Sequence, residues 1–532
     1  VSGGTNAIIE YFGPGVESIS CTGKATTTNM GAELGATGDV YPFDSRMATY
    51  LGVTGRSELA ELAEQYKHLV TADPEVEANP EQYYDQIVEI NLSELEPHIT
   101  GPHSPDRARP ISELAAEIKE HDFPEVVSAA LVGSCTNSSY EDMSRCADLA
   151  QQAVDKGIKA ATPFLVTPGS EQVRATIERD GQQAALENIG ATVLANACGP
   201  CIGQWRRNEG SDGTPNAIVT SYNRNFPKRN DGHVGTMNFI SSPEIALAMS
   251  LSGKLSFNPL VDTITAPDGT EVKLDPPKPA PEIPANGFEP GVSYFVEPPE
   301  DGSDVEVNID PNSTRLEILN PWPAWDGKDY EELPILVKAK GQCTTDAISP
   351  AGPWLAYRGH LSNLSDNMLL GSVNSFTDGT GESVNQLSGE QIMSPPEVAK
   401  AYQAQQMRWV SIGDQNYGEG SSREHAAMSP RKLGAAAIIV KSFARLHESN
   451  LKKQGILPLT FEVPEDYDRI LVDDRISLTG LSDLQPNKTV DCVIKHSDGS
   501  EETINLRHTL NDTQIAWFKA GSAMNHMKSL EG

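Results

Sequence analysis

Only seven cysteines are scattered over 532 residues. That is too few and too dispersed for a disulfide framework, so a cysteine with a task is expected to be a metal ligand or a catalytic thiol in a reducing compartment. No apolar run nears the roughly eighteen residues of a membrane span; the best, residues 433–440, has strand length. Basic residues are also scarce: 41 against 74 acidic ones leave a net charge of −33. Such a surface repels phosphate backbones and anionic lipid, which sets nucleic acid and membranes aside as main partners. An anionic substrate would have to be captured by a local cluster of arginines working against the global field. No internal repeat is visible, and no signal or transit pattern. The chain opens at Val1, without methionine, inside what reads as a folded segment, so a missing beginning is expected.

What remains is a globular composition, 38% hydrophobic and long enough for about three to four domains. Residues 57–66 (SELAELAEQY) carry apolar positions at helical spacing, and 83–90 lead into a candidate strand. Proline and glycine punctuate 97–110, a domain boundary. Beyond it, buried strands are expected at 126–134 (VVSAALVGS), 160–166 and 191–195. Helices at 142–156 and 172–188 separate them. Strands alternating with helices predict a parallel α/β sheet whose ligands sit at the strands' carboxyl ends. Residues 275–313, rich in Pro, Asp, Glu and Gly, read as an extended linker. A second α/β unit then begins at 333–339 and continues through the run 435–440 and a helix in FARLHESNLKK.

Three motifs could carry chemistry. Cys198-Gly-Pro-Cys201 sits at a strand end. A redox pair would call for a small domain with Trp before the first Cys, where Ala197 stands. Structural zinc would call for a second ligand pair, and the close pair His98 and His103 lies in a distant proline-rich loop. An iron–sulfur cluster needs Cys135 too, just past the strand 126–134. Three thiolates suit a cluster with one iron left open as a Lewis acid, and Cys146 reads as a buried small hydrophobe. The second motif, Gly418-Glu-Gly-Ser-Ser-Arg-Glu-His425, reads as a helix N-terminus offering N–H groups to an anion, with Arg423 adding a planar fork. Its blander reading is a simple N-cap serine. The third is a scatter of arginines on polar loops: Arg224, Arg229 and Arg358. Taken singly, each reads as a surface ion-pair partner.

The segments GSCTNSSYEDM, ANACGPCIGQW, SYNRNF, CTTDAISPAGPWL and NYGEGSSREHAA, in this order and at these separations, closely resemble the aconitase (aconitate hydratase) family. SISCTGKATTTNMGAELGAT and HESNLKKQGILPLTF look like the same family, so the similarity covers essentially the whole chain. It is most similar to the mitochondrial-type branch. The resemblance implies a [4Fe-4S] cluster on Cys135, Cys198 and Cys201, and Ser421 as the base that takes a proton from carbon. It implies Arg224, Arg229, Arg358, Ser422 and Arg423 as carboxylate ligands, with Asn223, Asn29, Glu33 and Asp346 at further active-site positions. The implied reaction is reversible citrate–isocitrate isomerisation through cis-aconitate on a small tricarboxylate; the alternatives are a homoaconitase-like or 2-methylisocitrate dehydratase-like hydro-lyase and, in another class, an apo-form RNA-binding regulator.

The implied fold is α/β: three-layer domains around the cluster plus a C-terminal swivelling domain. The implied boundaries are 1–96 for the remainder of a second domain, 97–288 for a third carrying the cysteines, 289–316 for a linker and 317–532 for the swivel domain. Two departures from the family pattern stand out: Ala347 where the family has His, and Lys228 where it has Gly. A further N-terminal domain of the family, with its acid-side residues, has no counterpart here, so the chain alone is expected to have little hydratase activity, that domain being needed in cis or in trans. The complete protein is expected to be a monomer, in a prokaryotic cytoplasm or, alternatively, in the mitochondrial matrix.

Overall fold

The computed structural model describes residue 4 and residues 7–208, 210–389, 391–421 and 423–531. The chain folds as two compact units, residues 1–300 and 301–532, and the division falls within the acidic, proline-rich stretch.

In the first unit, a short parallel ribbon pairs β1 (Ile8–Glu10) with β2 (Gly38–Val40). Between them runs the helix Cys21–Gly31, whose Ser20 hydroxyl caps it by accepting from the Gly23 N–H. The main sheet has seven strands. They are β3 (His98–Thr100), β4 (Ala108–Pro110), β5 (Val127–Gly133), β6 (Phe164–Thr167), β7 (Ala191–Val193), β8 (Asn216–Thr220) and β9 (Thr236–Ile240), in the order β4-β3-β9-β8-β5-β6-β7. Strands β5 to β9 are mutually parallel. β5 is apolar almost throughout because both of its faces are covered. On one side lie the helices Tyr140–Asp155, opened by a Ser139/Asp142 capping box, and Pro243–Ser252. A two-residue hairpin, β10 (Ile264–Thr265) with β11 (Glu271–Val272), completes the unit.

Three expectations need correction here. The strand expected at 160–166 starts only at Phe164, since Pro163 before it has no N–H for a ladder. The helix expected over 172–188 is two, Glu171–Asp180 and Gln182–Asn188, split at Gly181 with φ +92°. Residues 83–90 form no strand: Val88 and Ile90 stand exposed, and the chain there has no ladder partner.

The second unit is built on a closed barrel. Its strands are β12 (Tyr330–Lys338), β15 (Trp409–Gly413), β16 (Ala435–Val440), β17 (Leu457–Phe461), β18 (Arg475–Thr479), β19 (Val490–Lys495) and β20 (Glu501–Arg507). A minor hairpin, β13 (Ser383–Val384) with β14 (Ile392–Met393), lies outside it. β12, β15, β16 and β17 are parallel, and β16 (AAAIIV) is buried at every position. The antiparallel meander β18-β19-β20 alternates inward and outward residues, and β18 pairs with β12 while β20 pairs with β17 to close the ring. The second α/β unit expected from 333 onward is here a closed sheet. The closure comes from these late hairpins.

Candidate functional site

Parallel strands put their carboxyl ends on one sheet edge, where loops can converge. Cys135 lies just past β5, Cys198 and Cys201 in the loop and single 3-10 turn after β7, and Asn223 and Arg224 just past β8. The turn out of β5 is tight: Gly133 (φ +109°) lies so close to the Thr167 carbonyl that a Cβ there would collide with it, and Ser134 also has positive φ. Ser134 then donates from its hydroxyl to the Cys201 sulfur at 3.2 Å, and the Asn137 amide donates to the Ser221 carbonyl at 2.8 Å. The helix Cys21–Gly31 is tied to this edge by three hydrogen bonds. Asn223 Nδ2 and Thr136 Oγ1 donate to Asn29 Oδ1 at 3.1 and 3.3 Å, and Thr26 Oγ1 donates to the Thr136 carbonyl at 2.8 Å.

Arg224 and Arg229 have work within the protein. Arg224 forks onto Glu33, Nε to Oε2 at 2.7 Å and Nη2 to Oε1 at 2.6 Å, with both side chains buried. Arg229 Nε donates to the Cys201 carbonyl at 2.8 Å, and Asn230 Nδ2 donates to the Pro200 carbonyl at 3.1 Å, so this loop braces the cysteine turn. Between the two arginines Lys228 is exposed, with φ +64°.

All seven cysteines are free thiols; Cys135 and Cys198 are exposed and Cys201 is buried. Burial pushes the Cys201 thiol up to about 11; Cys198 and Cys135 add to this, while Ser134 and Arg229 oppose it. Cys201 therefore senses both other thiols. Among the described residues no three His, Cys, Asp or Glu side chains are grouped as ligands of one metal ion. A multi-iron cluster accepts thiolates spread more widely around it, and three soft sulfur donors on one sheet edge fit such a group. Cys146 is fully buried in the helix Tyr140–Asp155.

The second unit holds its own constellation. Thr344 caps the short helix Thr345–Ile348, its hydroxyl accepting from the Ala347 N–H at 3.1 Å, and the helix carries Asp346. Asp346 Oδ1 lies 2.5 Å from Arg423 Nη2, and Arg423 Nη1 donates to the Ser349 carbonyl at 2.7 Å. Ser421 is half-buried between them in sequence, and the Arg423 N–H donates to its carbonyl at 2.8 Å. Ser422 lies outside the described residues. Arg358 is exposed, and its carbonyl is bonded to His425 Nε2 at 3.1 Å. Ala347 packs partly buried against the apolar cluster of this unit.

The helix expected to begin at the serines begins instead at His425 with Glu424 as its N-cap. Gly418 (φ +83°) and Gly420 (φ +94°) keep the intervening chain in a loop. Sequence reading passed over three residues here and in the first unit: Ser134, Glu419 and His447. Glu419 is buried, with Asn416 Nδ2 donating to its carboxylate at 2.5 Å and the Thr345 N–H to its carbonyl at 2.9 Å. The signal for Ser134 and Glu419 was their place inside GSC and GEGSS.

Comparison with known proteins bears on both constellations. Residues 1–253 match the aconitase family (aconitate hydratase) and residues 333–464 match the aconitase C-terminal domain. A probable mitochondrial aconitate hydratase of Dictyostelium discoideum is 54% identical over 99% of this chain and 68% of its own length. The mitochondrial aconitate hydratase of Gracilaria gracilis is 54% identical over 99% of this chain and 67% of its own. The probable mitochondrial aconitate hydratase of Caenorhabditis elegans is 54% identical over 100% and 67%. This chain thus spans about two thirds of their length. All three are named mitochondrial, which runs against the expected prokaryotic cytoplasm. A solved 3-isopropylmalate dehydratase from Methanocaldococcus jannaschii, 20% identical over 38% of this chain and 93% of its own, superposes with a TM-score of 0.25, too slight a likeness to argue from.

Proposed function

The chain belongs to the aconitase (aconitate hydratase) family, and from that premise we propose that it is a hydro-lyase interconverting citrate and isocitrate through cis-aconitate. The observation that carries the reading is the convergence of Cys135, Cys198, Cys201, Asn223 and Arg224 at the carboxyl ends of β5, β7 and β8. Cys135, Cys198 and Cys201 would hold a [4Fe-4S] cluster. When bound, its open iron would supply Lewis acidity that makes hydroxide a better leaving group.

The chain's own groups are assigned to binding the acid and to taking the proton from carbon. In dehydration a base takes a proton from carbon, and hydroxide leaves the neighbouring carbon as water by accepting a second proton from an acid; rehydration of cis-aconitate with the opposite regiochemistry completes the exchange. Ser421 Oγ is assigned the carbon-bound proton. An unperturbed serine is too weak a base, so its oxyanion must be stabilised by donors fixed around it. Asp346 and the Ser349 carbonyl fix the Arg423 guanidinium, which presents a planar fork to a carboxylate without reorganising. Arg358, exposed, and Arg229, half-buried, are assigned to the remaining carboxylates. Arg224 is assigned with Glu33 as one polar unit. In a protein of charge −33, a tricarboxylate is bound only through such concentrated guanidinium groups. The relatives' names support the mitochondrial matrix as the setting.

The test is anaerobic reconstitution followed by iron and sulfide analysis and, with the part of the relatives' length that this chain does not span supplied in cis or in trans, by turnover of citrate, isocitrate and cis-aconitate, alongside 2-methylisocitrate and homoaconitate. About four irons per chain, lost in Cys198→Ser, and preference for the first three acids are expected. Ser421→Ala should lower kcat by about 10²–10⁴-fold with little change in KM. Zinc without sulfide, or preference for a longer or methylated acid, would overturn the reading.

A further inference from the structure

His447 sits in the helix Arg445–Lys453 and takes no part in the chemistry above. It is 2% exposed, and its ring lies tilted against the Tyr417 ring at 5.6 Å. Its imidazole fills the space that any side chain on Gly418 would need: a Cβ there would collide with the ring. Among the described residues its buried Nδ1 has no hydrogen-bond partner, a cost that an apolar side chain of similar size would avoid. Gly418 is the first residue of the segment leading to Ser421. It is fixed from the other side by its N–H, which donates to the Cys343 carbonyl at 2.7 Å. The next residue, Glu419, takes the Thr345 N–H on its carbonyl, which links the loop to the helix bearing Asp346, the partner of Arg423.

We propose that His447 is a positioning residue: its imidazole is the shelf against which Gly418 rests, and it sets where the 418–421 segment leaves the core and so where the Ser421 hydroxyl stands. The proposal rests on Ser421 being the base. Two observations make the ring's shape matter. Gly418 adopts φ +83°, which a side chain would strain, and the ring leaves no room for one, so glycine and histidine interlock. The shelf is also rigid, because the helix carrying it packs on the unit's apolar cluster through Leu451.

The experiment is a double-variant cycle with two readouts: amide hydrogen exchange over residues 416–421, and, with the part of the relatives' length that this chain does not span supplied in cis or in trans, kcat and KM on cis-aconitate. His447→Ala should speed exchange in 416–421 while β15 and β16 stay protected, and lower kcat by about 10- to 100-fold with KM held within about twofold. Gly418→Ala should do at least as much damage. Adding His447→Ala to Gly418→Ala should recover part of the loss, because the collision is removed. His447→Leu, which refills most of the space, covers the case in which His447→Ala unfolds the unit, and should fall between wild type and alanine. Additive losses in the double variant, or unchanged exchange over 416–421 in His447→Ala and His447→Leu, would overturn the proposal. If Ser421→Ala leaves turnover unchanged while the exchange results hold, the assignment of Ser421 falls and the steric role of His447 stands.

Discussion

Arg224 and Glu33 meet as a two-pronged ion pair, at 2.7 and 2.6 Å, with both side chains less than a tenth exposed. The pair joins the segment after the helix Cys21–Gly31 to the loop after β8. It makes Arg224 less a free hook for substrate than half of a prebuilt dipole.

Removing one partner should therefore be costly. Glu33→Ala leaves a buried guanidinium without its carboxylate, and we expect a loss of about 3–5 kcal/mol in urea unfolding of the protein. Replacing both residues by apolar ones, Glu33→Met with Arg224→Leu, should cost much less than the sum of the single changes. A loss under about 1 kcal/mol for Glu33→Ala would mean that water reaches the pair in solution.

Lys228 holds φ +64°, a region that costs a side-chain-bearing residue about 1–2 kcal/mol and glycine almost nothing. Lys228→Gly should raise stability by about 1 kcal/mol after glycine's extra chain entropy is deducted. If Lys228 also contributes to anion capture beside Arg229, the same variant should raise KM most strongly at low salt. The denaturation midpoint and KM at two ionic strengths test both parts.

His447 carries a sign for pH. Unfolded, its imidazole takes up a proton near 6.5; folded, burial holds it down to about 4. Between those values the unfolded chain binds more protons, so this residue's contribution makes stability fall as pH drops from 6.5 toward 4. Denaturation midpoints at pH 7 and pH 5 should therefore differ less in His447→Leu than in wild type. Parallel losses in the two proteins would show that the buried ring is already charged at pH 5.

Cys146 tests the ligand set from the other side. Its thiol is enclosed in the helix Tyr140–Asp155, and burial pushes its pKa well above the ordinary range. Cys146→Ala should keep the full iron and sulfide content of the reconstituted protein, whereas Cys135→Ser should lose most of it. Equal losses would admit Cys146 as a ligand.

Much of this arrangement could be read from the sequence where one physical signal dominated. The apolar run of β5 and the fully buried β16 announce themselves locally. Signals that compete locally misled. Gly181 breaks a helix that periodicity continues, Pro163 delays β6, and the glycines at 418 and 420 postpone a helix start that Ser-Ser suggests. Long-range partnerships left no local trace at all. Nothing in SYNRN says that Arg224 is claimed by Glu33, and nothing in HESNLKK says that its histidine faces Gly418. The barrel's closure belongs with these, since it depends on β18 finding β12 about 140 residues earlier in the chain.

The two units also treat their strand edges differently, and this bears on how the protein behaves when concentrated. The barrel has no edge, and the open sheet ends in β4 and β7, each three residues long, with β4 finishing at Pro110. Neither offers a template long enough for a second molecule to add strands. Together with a net charge of −33, this makes for a colloid that resists clumping by two independent means. Added salt weakens only the electrostatic one, so a preparation in high-salt buffer should remain dispersed for as long as its strands stay paired.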